Sequence, residues 1–265
     1  MAESKSNVIS ARTKDGVNYK LECRETLPSA VELARVYAQN GYSDKYAVFC
    51  ERQRKRLAEN EKLPADPWEY GVFISCILRP SLFPSQASFL SPLSTVALVN
   101  ALSKHTSKKL GISWVSDVYC EGVKIGGVNV EGKLNGYGSY DYIIVSFSVA
   151  LDEQNFPSRL TDLVRKVFGH ENLSVPMLIA KNIMDEFFEA YAALKSPEKL
   201  MNQYSERFIL RKNTVRLVKD GKKRKCKVLG VRTDDLALIL DDRGTITEVT
   251  SPKSVIFPKR IKIID

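Results

Sequence analysis

The fold is decided at residues 111–131, GISWVSDVYCEGVKIGGVNVE. Ile112, Trp114, Val118 and Tyr119 form one β-rich run, and Val123, Ile125, Val128 and Val130 form a second. Glu121 and Gly122 between them carry turn chemistry, so the stretch predicts a hairpin. Two features inside it concern more than structure. Lys124 interrupts an otherwise apolar strand, and Gly126-Gly127 follow. A glycine pair in a strand marks a place where a ligand or another backbone approaches closely, and a lysine aimed at the same place holds an anion there. From spacing alone, Lys124 is either that cation or a lysine at a strand edge. The glycines serve either a ligand or the tight packing of two subunits.

Working outward, residues 19–25 read as a strand. Pro28 suits a first helical turn, and Ala30, Leu33, Ala34, Tyr37 and Ala38 repeat at helical spacing up to Asn40-Gly41. Residues 46–51 and 71–79 read as buried strands. The polar, charged segment 52–70 between them is long for a loop, and such loops often close over or bind something. Ser91-Pro92 starts a helix whose residues 93–102 are apolar on most faces, which places it in the core. Residues 140–151 form a further strand rich in β-branched and aromatic side chains. Helices follow at 160–168, from Ser174 and Pro176, and from Ser196-Pro197. From residue 209 onward the chain is short strands separated by turn signals, the pattern of a small barrel. The expected organisation is a flexible N-terminus over 1–17, an α+β domain over 18–208 with a central mixed sheet flanked by helices, and a small β-barrel over 209–265.

Composition sets the outer limits. Hydrophobic content of 44% and charged content of 27% over 265 residues fit a globular protein with a sizeable core. No apolar run reaches the roughly 18 residues of a membrane span. The polar N-terminus has no signal-peptide core, so a cytoplasmic location is expected. The five cysteines form no C-x-x-C pair, which argues against a disulfide framework or zinc site. His105 and His170 are isolated and read as surface residues. The net charge of +9 favours an anionic partner, a phosphate ligand or an acidic protein. Nucleic acid fits less well, because no aromatic-interleaved basic surface or recognition helix is visible. The positive charge gathers at residues 52–62 and 219–225; the second cluster reads as a solvated hairpin.

These motifs resemble the biotin–protein ligases, in the short form without a DNA-binding domain. The family's K-W-P-N-D, turn and K-[IL]-[AG]-G-[IV]-x-[VT]-E correspond to Ser113-Trp114-Val115-Ser116-Asp117 and to Lys124-Ile125-Gly126-Gly127-Val128-Asn129-Val130-Glu131. Its E-T-x-D-S-T-N opening corresponds to Glu25-Thr26-Leu27-Pro28-Ser29-Ala30-Val31. Cys50-Glu51-Arg52-Gln53 and the run from Gly71 to Arg79-Pro80 match the two ends of its next segment. The resemblance implies a class II synthetase-like central sheet and an SH3-like C-terminal barrel. It implies that biotin and ATP with Mg2+ are substrates, that no cofactor is tightly bound, and that a biotin carboxyl carrier domain receives the acyl group. A homodimer through the central sheet is also implied. By position, Lys124 is the catalytic cation, and Ser29, Gln53, Arg56, Trp114, Asp117, Gly126, Gly127, Ser146 and Ser148 bind substrate. Gln53 hydrogen-bonds a ureido ring or caps a loop; Asp117 assists magnesium or satisfies a turn; Trp114 reads as core packing with one face near the ligand.

The departures have chemical weight. The family's G-R-G-R-x-G-R loop is here Arg56-Leu57-Ala58-Glu59-Asn60-Glu61-Lys62, and its G-I-G-I-N-V-N strand end is the run from Ser146 through Ser148 to Asp152. Adenylation needs backbone N–H groups and cations around phosphate oxygens. Losing one such donor raises a barrier by about 2.7–4 kcal/mol. Two functions therefore stand side by side: an adenylate-forming biotin–protein ligase, and a ligase-fold protein that has lost adenylation and binds a ligand or a protein.

Overall fold

Short continuous runs of apolar side chains build a large sheet, and helices cover both of its faces. The structure, a computed structural model, describes residues 7–54, 68–82, 84–151, 175–257 and 261. The elements are β1 (Asn7–Arg12), β2 (Asn18–Leu27), α1 (Ala30–Gln39), β3 (Tyr46–Arg54), β4 (Trp68–Leu78), α2 (Pro84–Ala87), α3 (Leu90–Ser103), β5 (Leu110–Ser113), β6 (Asp117–Cys120), β7 (Val123–Leu134) and β8 (Tyr140–Ala150). They continue with α4 (Val175–Ala192), α5 (Glu198–Glu206), β9 (Thr214–Lys219), β10 (Lys222–Val231), β11 (Leu238–Asp242), β12 (Thr245–Val249) and β13 (Val255–Ile256). Eight strands form a mixed sheet in the order β1-β2-β3-β4-β8-β7-β6-β5, in which only β2 and β3 run parallel. Five more form an antiparallel C-terminal sheet, β12-β11-β10-β9-β13. This is the expected α+β class.

Successive strand residues point to opposite faces, so each central strand feeds two cores. Phe49, Ile74, Val145 and Phe147 join the core that includes α3 and α4. Val48, Cys50, Phe73, Ile77 and Ile144 join the other, closed by Val31, Ala34 and Ala38 of α1. Helix α3 is buried on nearly all sides, as its apolar sequence requires. Helix α1 starts at Ser29, whose hydroxyl accepts the N–H of Glu32; Pro28 therefore precedes the helix rather than opening it.

Three further expectations are corrected. Within residues 1–17, read as flexible, Asn7–Arg12 is an edge strand paired with β2 from Asn7↔Cys23 to Arg12↔Asn18. Its side chains are largely exposed on both faces, so it lacks the alternation by which strands are recognised. The run over 112–119 is two strands. The chain turns at residues 114–116 and pairs β6 back on β5, Ile112 opposite Val118. His105 is partly buried, its Nε2 2.8 Å from Asn182 Nδ2, and burial lowers its pKa. The expected helix at 160–168, His170 and Arg56 lie outside the described residues.

Candidate functional site

Directly paired residues share a sheet face, so the register lays out the site in rows. On the face covered by α1, one row crosses Tyr46, Ile77, Ile144 and Glu131. The next crosses Val48, Ser75, Ser146 and Asn129, and the third Cys50, Phe73, Ser148, Gly127 and Asp117. The first row is apolar until it reaches Glu131, which Arg35 of α1 grips with two N–H···O bonds of 2.8 and 2.9 Å. The other two rows replace aliphatic side chains with hydroxyls, an amide, a glycine and a carboxylate. There the helix stops covering the sheet, and a half-open cleft of about 880 Å³ begins. Its edge is the first turn of α1, at Ala30 and Val31.

The polar floor is internally ordered. Ser75 is buried, and its Oγ lies 2.9 Å from Ser146 Oγ. Gln53, at the end of β3, accepts the N–H of Ala30 at 2.8 Å through its Oε1. The carboxamide thus satisfies one of the free donors at the α1 N-terminus and keeps its NH2 group as a donor in the cleft wall. Burial pushes the Cys50 thiol up to about 12, so it is no nucleophile at neutral pH.

Lys124 enters the site by way of a register slip. Between Val118 and Tyr119 the β6–β7 pairing passes from Gly126 to Lys124 and skips Ile125. Such a bulge re-aims the adjoining side chain, and Lys124 Nζ lies 2.7 Å from Asp117 Oδ1. Gly127 makes room for this pair: a Cβ there would stand 2.9 Å from the Ser116 carbonyl oxygen and 3.1 Å from Asp117 Oδ1. A Cβ at Gly126 would lie 2.3 Å from the Ser148 carbonyl oxygen. The close approach these glycines permit is thus between strands of one chain.

Of the residues expected at the site, Gln53, Asp117, Lys124, Gly126, Gly127, Ser146 and Ser148 line this one cleft. Ser29 caps α1 beside it. Trp114 turns away: its indole N–H donates to the Leu236 carbonyl at 2.7 Å, and its ring packs edge-on against Phe257 at 6.4 Å. It seats the C-terminal sheet. Sequence reasoning missed Ser75, Asn129, Phe73, Arg54 and Glu69 as cleft residues. Ser75 was visible as the one hydroxyl in an apolar strand, on the parity of Phe73 and Ile77. Charge in the described walls balances, with Lys124 and Arg54 against Asp117 and Glu69. Among the described residues, no three His, Cys, Asp or Glu side chains gather as a metal site, and no helix is long and apolar enough to cross a membrane.

Residues 67–148, from β4 through β8, match the biotin/lipoate A/B protein ligase family. Among solved structures, an Aquifex aeolicus biotin protein ligase mutant in complex with biotin superposes with a TM-score of 0.66 at 18% identity, over 89% of this chain and 97% of that one. A biotin protein ligase-like protein of unknown function from a Silicibacter species gives 0.62 at 13% identity, over 91% and 97%. The Leishmania major biotin protein ligase in complex with biotin gives 0.51 at 15%, over 86% and 97%. No curated protein sequence matches this chain. The chain has the biotin protein ligase fold, and its segment from β4 through β8 carries the biotin/lipoate ligase family pattern.

Proposed function

We propose that the cleft binds a small carboxylic acid of the biotin class, activates it with ATP as an acyl-adenylate, and passes it to a lysine of a carrier domain. The observation that carries this reading is the placement of Lys124. A bulge brings its ammonium to the cleft beside Gly126-Gly127, with floor hydroxyls and the Asn129 amide available to a polar ring. Lys124 would neutralise the carboxylate and the α-phosphate. Gln53 NH2, Ser146 and Ser148 would hydrogen-bond the acid's polar head, and Phe73 would pack against its apolar part. Arg56 would lend a further cation from the segment after β3.

The test is exchange of labelled pyrophosphate into ATP, run with and without biotin and repeated with lipoate. Acid-dependent exchange that Lys124→Ala abolishes is the expected result. Folded protein that gives no exchange at high concentration with either acid would defeat the adenylation step. Calorimetry then separates the second reading, binding without activation. The charge balance of the cleft favours that reading: Asp117 already neutralises Lys124, and a triphosphate brings negative charge that the described walls do not answer. Acid binding without exchange is its signature.

A further inference from the structure

The C-terminal sheet carries a surface that the cleft chemistry does not use. Residues 214–227, the β9–β10 hairpin, hold seven Lys and Arg side chains against one carboxylate, Asp220. The turn at Asp220-Gly221 has positive φ at both positions, 51° and 71°, so the register is fixed as a two-residue hairpin. That register sets cations directly opposite one another: Lys219 faces Lys222, and Arg216 faces Lys225. Like charges placed opposite each other destabilise a strand pair. Inward-facing Val215, Leu217, Cys226 and Val228 form the core, so the alternate set turns outward. Lys223, Lys225 and Lys227 make a column on β10, with Arg216 beside it on β9.

The cations of this face make no ion pair: among the described residues, Arg216, Lys223, Lys225 and Lys227 have none, although Asp241 stands opposite Lys227, whereas Arg224 pairs with Asp242 and Arg232 with Asp235 and Glu248. Apolar side chains flank the column: Ile256 opposite Arg216 and the bulge residue Leu229 are 39% and 44% exposed. Exposed apolar groups beside unpaired cations give a partner both contact area and charge.

We infer that the outer face of β9–β10 is a docking surface for an acidic protein segment in extended conformation. Alternate residues of a strand stand about 6.8 Å apart, so carboxylates at every second position of such a segment match Lys223, Lys225 and Lys227 in turn. Its intervening apolar residues meet Leu229 and Ile256. Three features separate this partner from other polyanions. Among the described residues, no aromatic side chain lies on the face to stack a base. The isoleucine and leucine add nothing to a phosphate backbone. Asp241, opposite Lys227, bounds the cations on the β11 side and repels a uniformly charged polymer or bilayer that extends across the sheet.

Fluorescence anisotropy of the full chain tests this with three probes: a labelled peptide of alternating Glu and Val, a poly-dT oligonucleotide, and phosphatidylserine vesicles. The peptide should bind most tightly and lose about tenfold in affinity in the Lys223→Glu/Lys225→Glu variant, with a further weakening in Leu229→Ser and a steep loss with added salt. Lys225→Glu places a carboxylate opposite Arg216, so the variant should melt no lower than the parent, and a lost affinity then reports the surface. Tighter binding of the oligonucleotide or of the vesicles, or peptide affinity unchanged in the double variant, overturns the proposal.

Discussion

The carboxamide oxygen of Gln53 accepts the backbone N–H of Ala30 at 2.8 Å, joining the end of β3 to the first turn of α1. This bond and the Ser29 hydroxyl together form the cap of the helix that edges the cleft. Gln53→Ala should lower stability by about 1 kcal/mol, the usual loss for a helix cap. Gln53→Glu keeps an acceptor at the same place and should recover most of that loss. Urea unfolding of the three proteins decides it; equal midpoints would mean that the bond contributes nothing.

The glycine pair gives a contrast within two residues. Gly126→Ala drives a methyl group to 2.3 Å from the Ser148 carbonyl oxygen, a backbone atom held in a central strand pair. Relief requires the β7–β8 pairing to shift, and overpacking of this kind costs about 1–3 kcal/mol. Gly136→Ala, where nothing lies within 4 Å, is the control and should unfold like the parent. A thermal scan in which both variants match the parent would refute the close approach at Gly126.

Lys124 and Asp117 form an ion pair whose side chains are 53% and 39% exposed. A pair this solvated contributes at most about 1 kcal/mol, so Lys124→Ala should leave the melting temperature almost unchanged. On the proposed reading of the cleft, acid binding should fall by at least tenfold, because the cation that would meet the carboxylate is lost. Asp117→Asn releases the ammonium from its internal partner. It should strengthen binding of a simple carboxylate if Asp117 acts only as a competitor, and calorimetry reads both effects on one titration.

Asp185 on α4 is buried, and its Oδ1 has no hydrogen-bond partner. Burial raises its pKa, outweighing the Lys14 backbone N–H and the nearby ammonium groups of Lys181, Lys104 and Lys14. A raised carboxyl pKa means that the folded chain keeps a proton the unfolded chain releases. Stability from this group is therefore greatest below the unfolded value, about 3.9, and declines as pH rises through the folded one. Asp185→Asn removes that decline. The variant should melt higher than the parent at neutral pH, and the gap should shrink towards acid; a variant that melts lower at every pH contradicts this.

Much of the architecture was legible because it rests on periodicity. The continuous apolar runs of β3, β4 and β8, the all-round apolar surface of α3 and the Asp220-Gly221 turn each encode their own conformation locally. Edge strand β1 was not legible, since Asn7 to Arg12 pair on one side only and bury almost nothing. Cleft residues were recognisable where motif and strand parity agreed, as for Lys124, Ser146 and Ser148. The motif at 113–117 put one face of Trp114 near the ligand, beside its reading as core packing. Its actual partner, Leu236, is 122 residues away and is fixed only by tertiary packing. Likewise, nothing local records that the Gln53 oxygen is committed to Ala30.

The anchoring of Trp114 has a practical corollary. The indole is 4% exposed, sealed by Leu236 and Phe257, while Tyr204 holds the next carbonyl, that of Val115, at 2.8 Å. Removing the last fifty-odd residues would unroof an aromatic ring and strip a buried donor of its acceptor, three positions from Asp117. A shortened version would therefore be sticky, and the cleft would lose the buttress behind it.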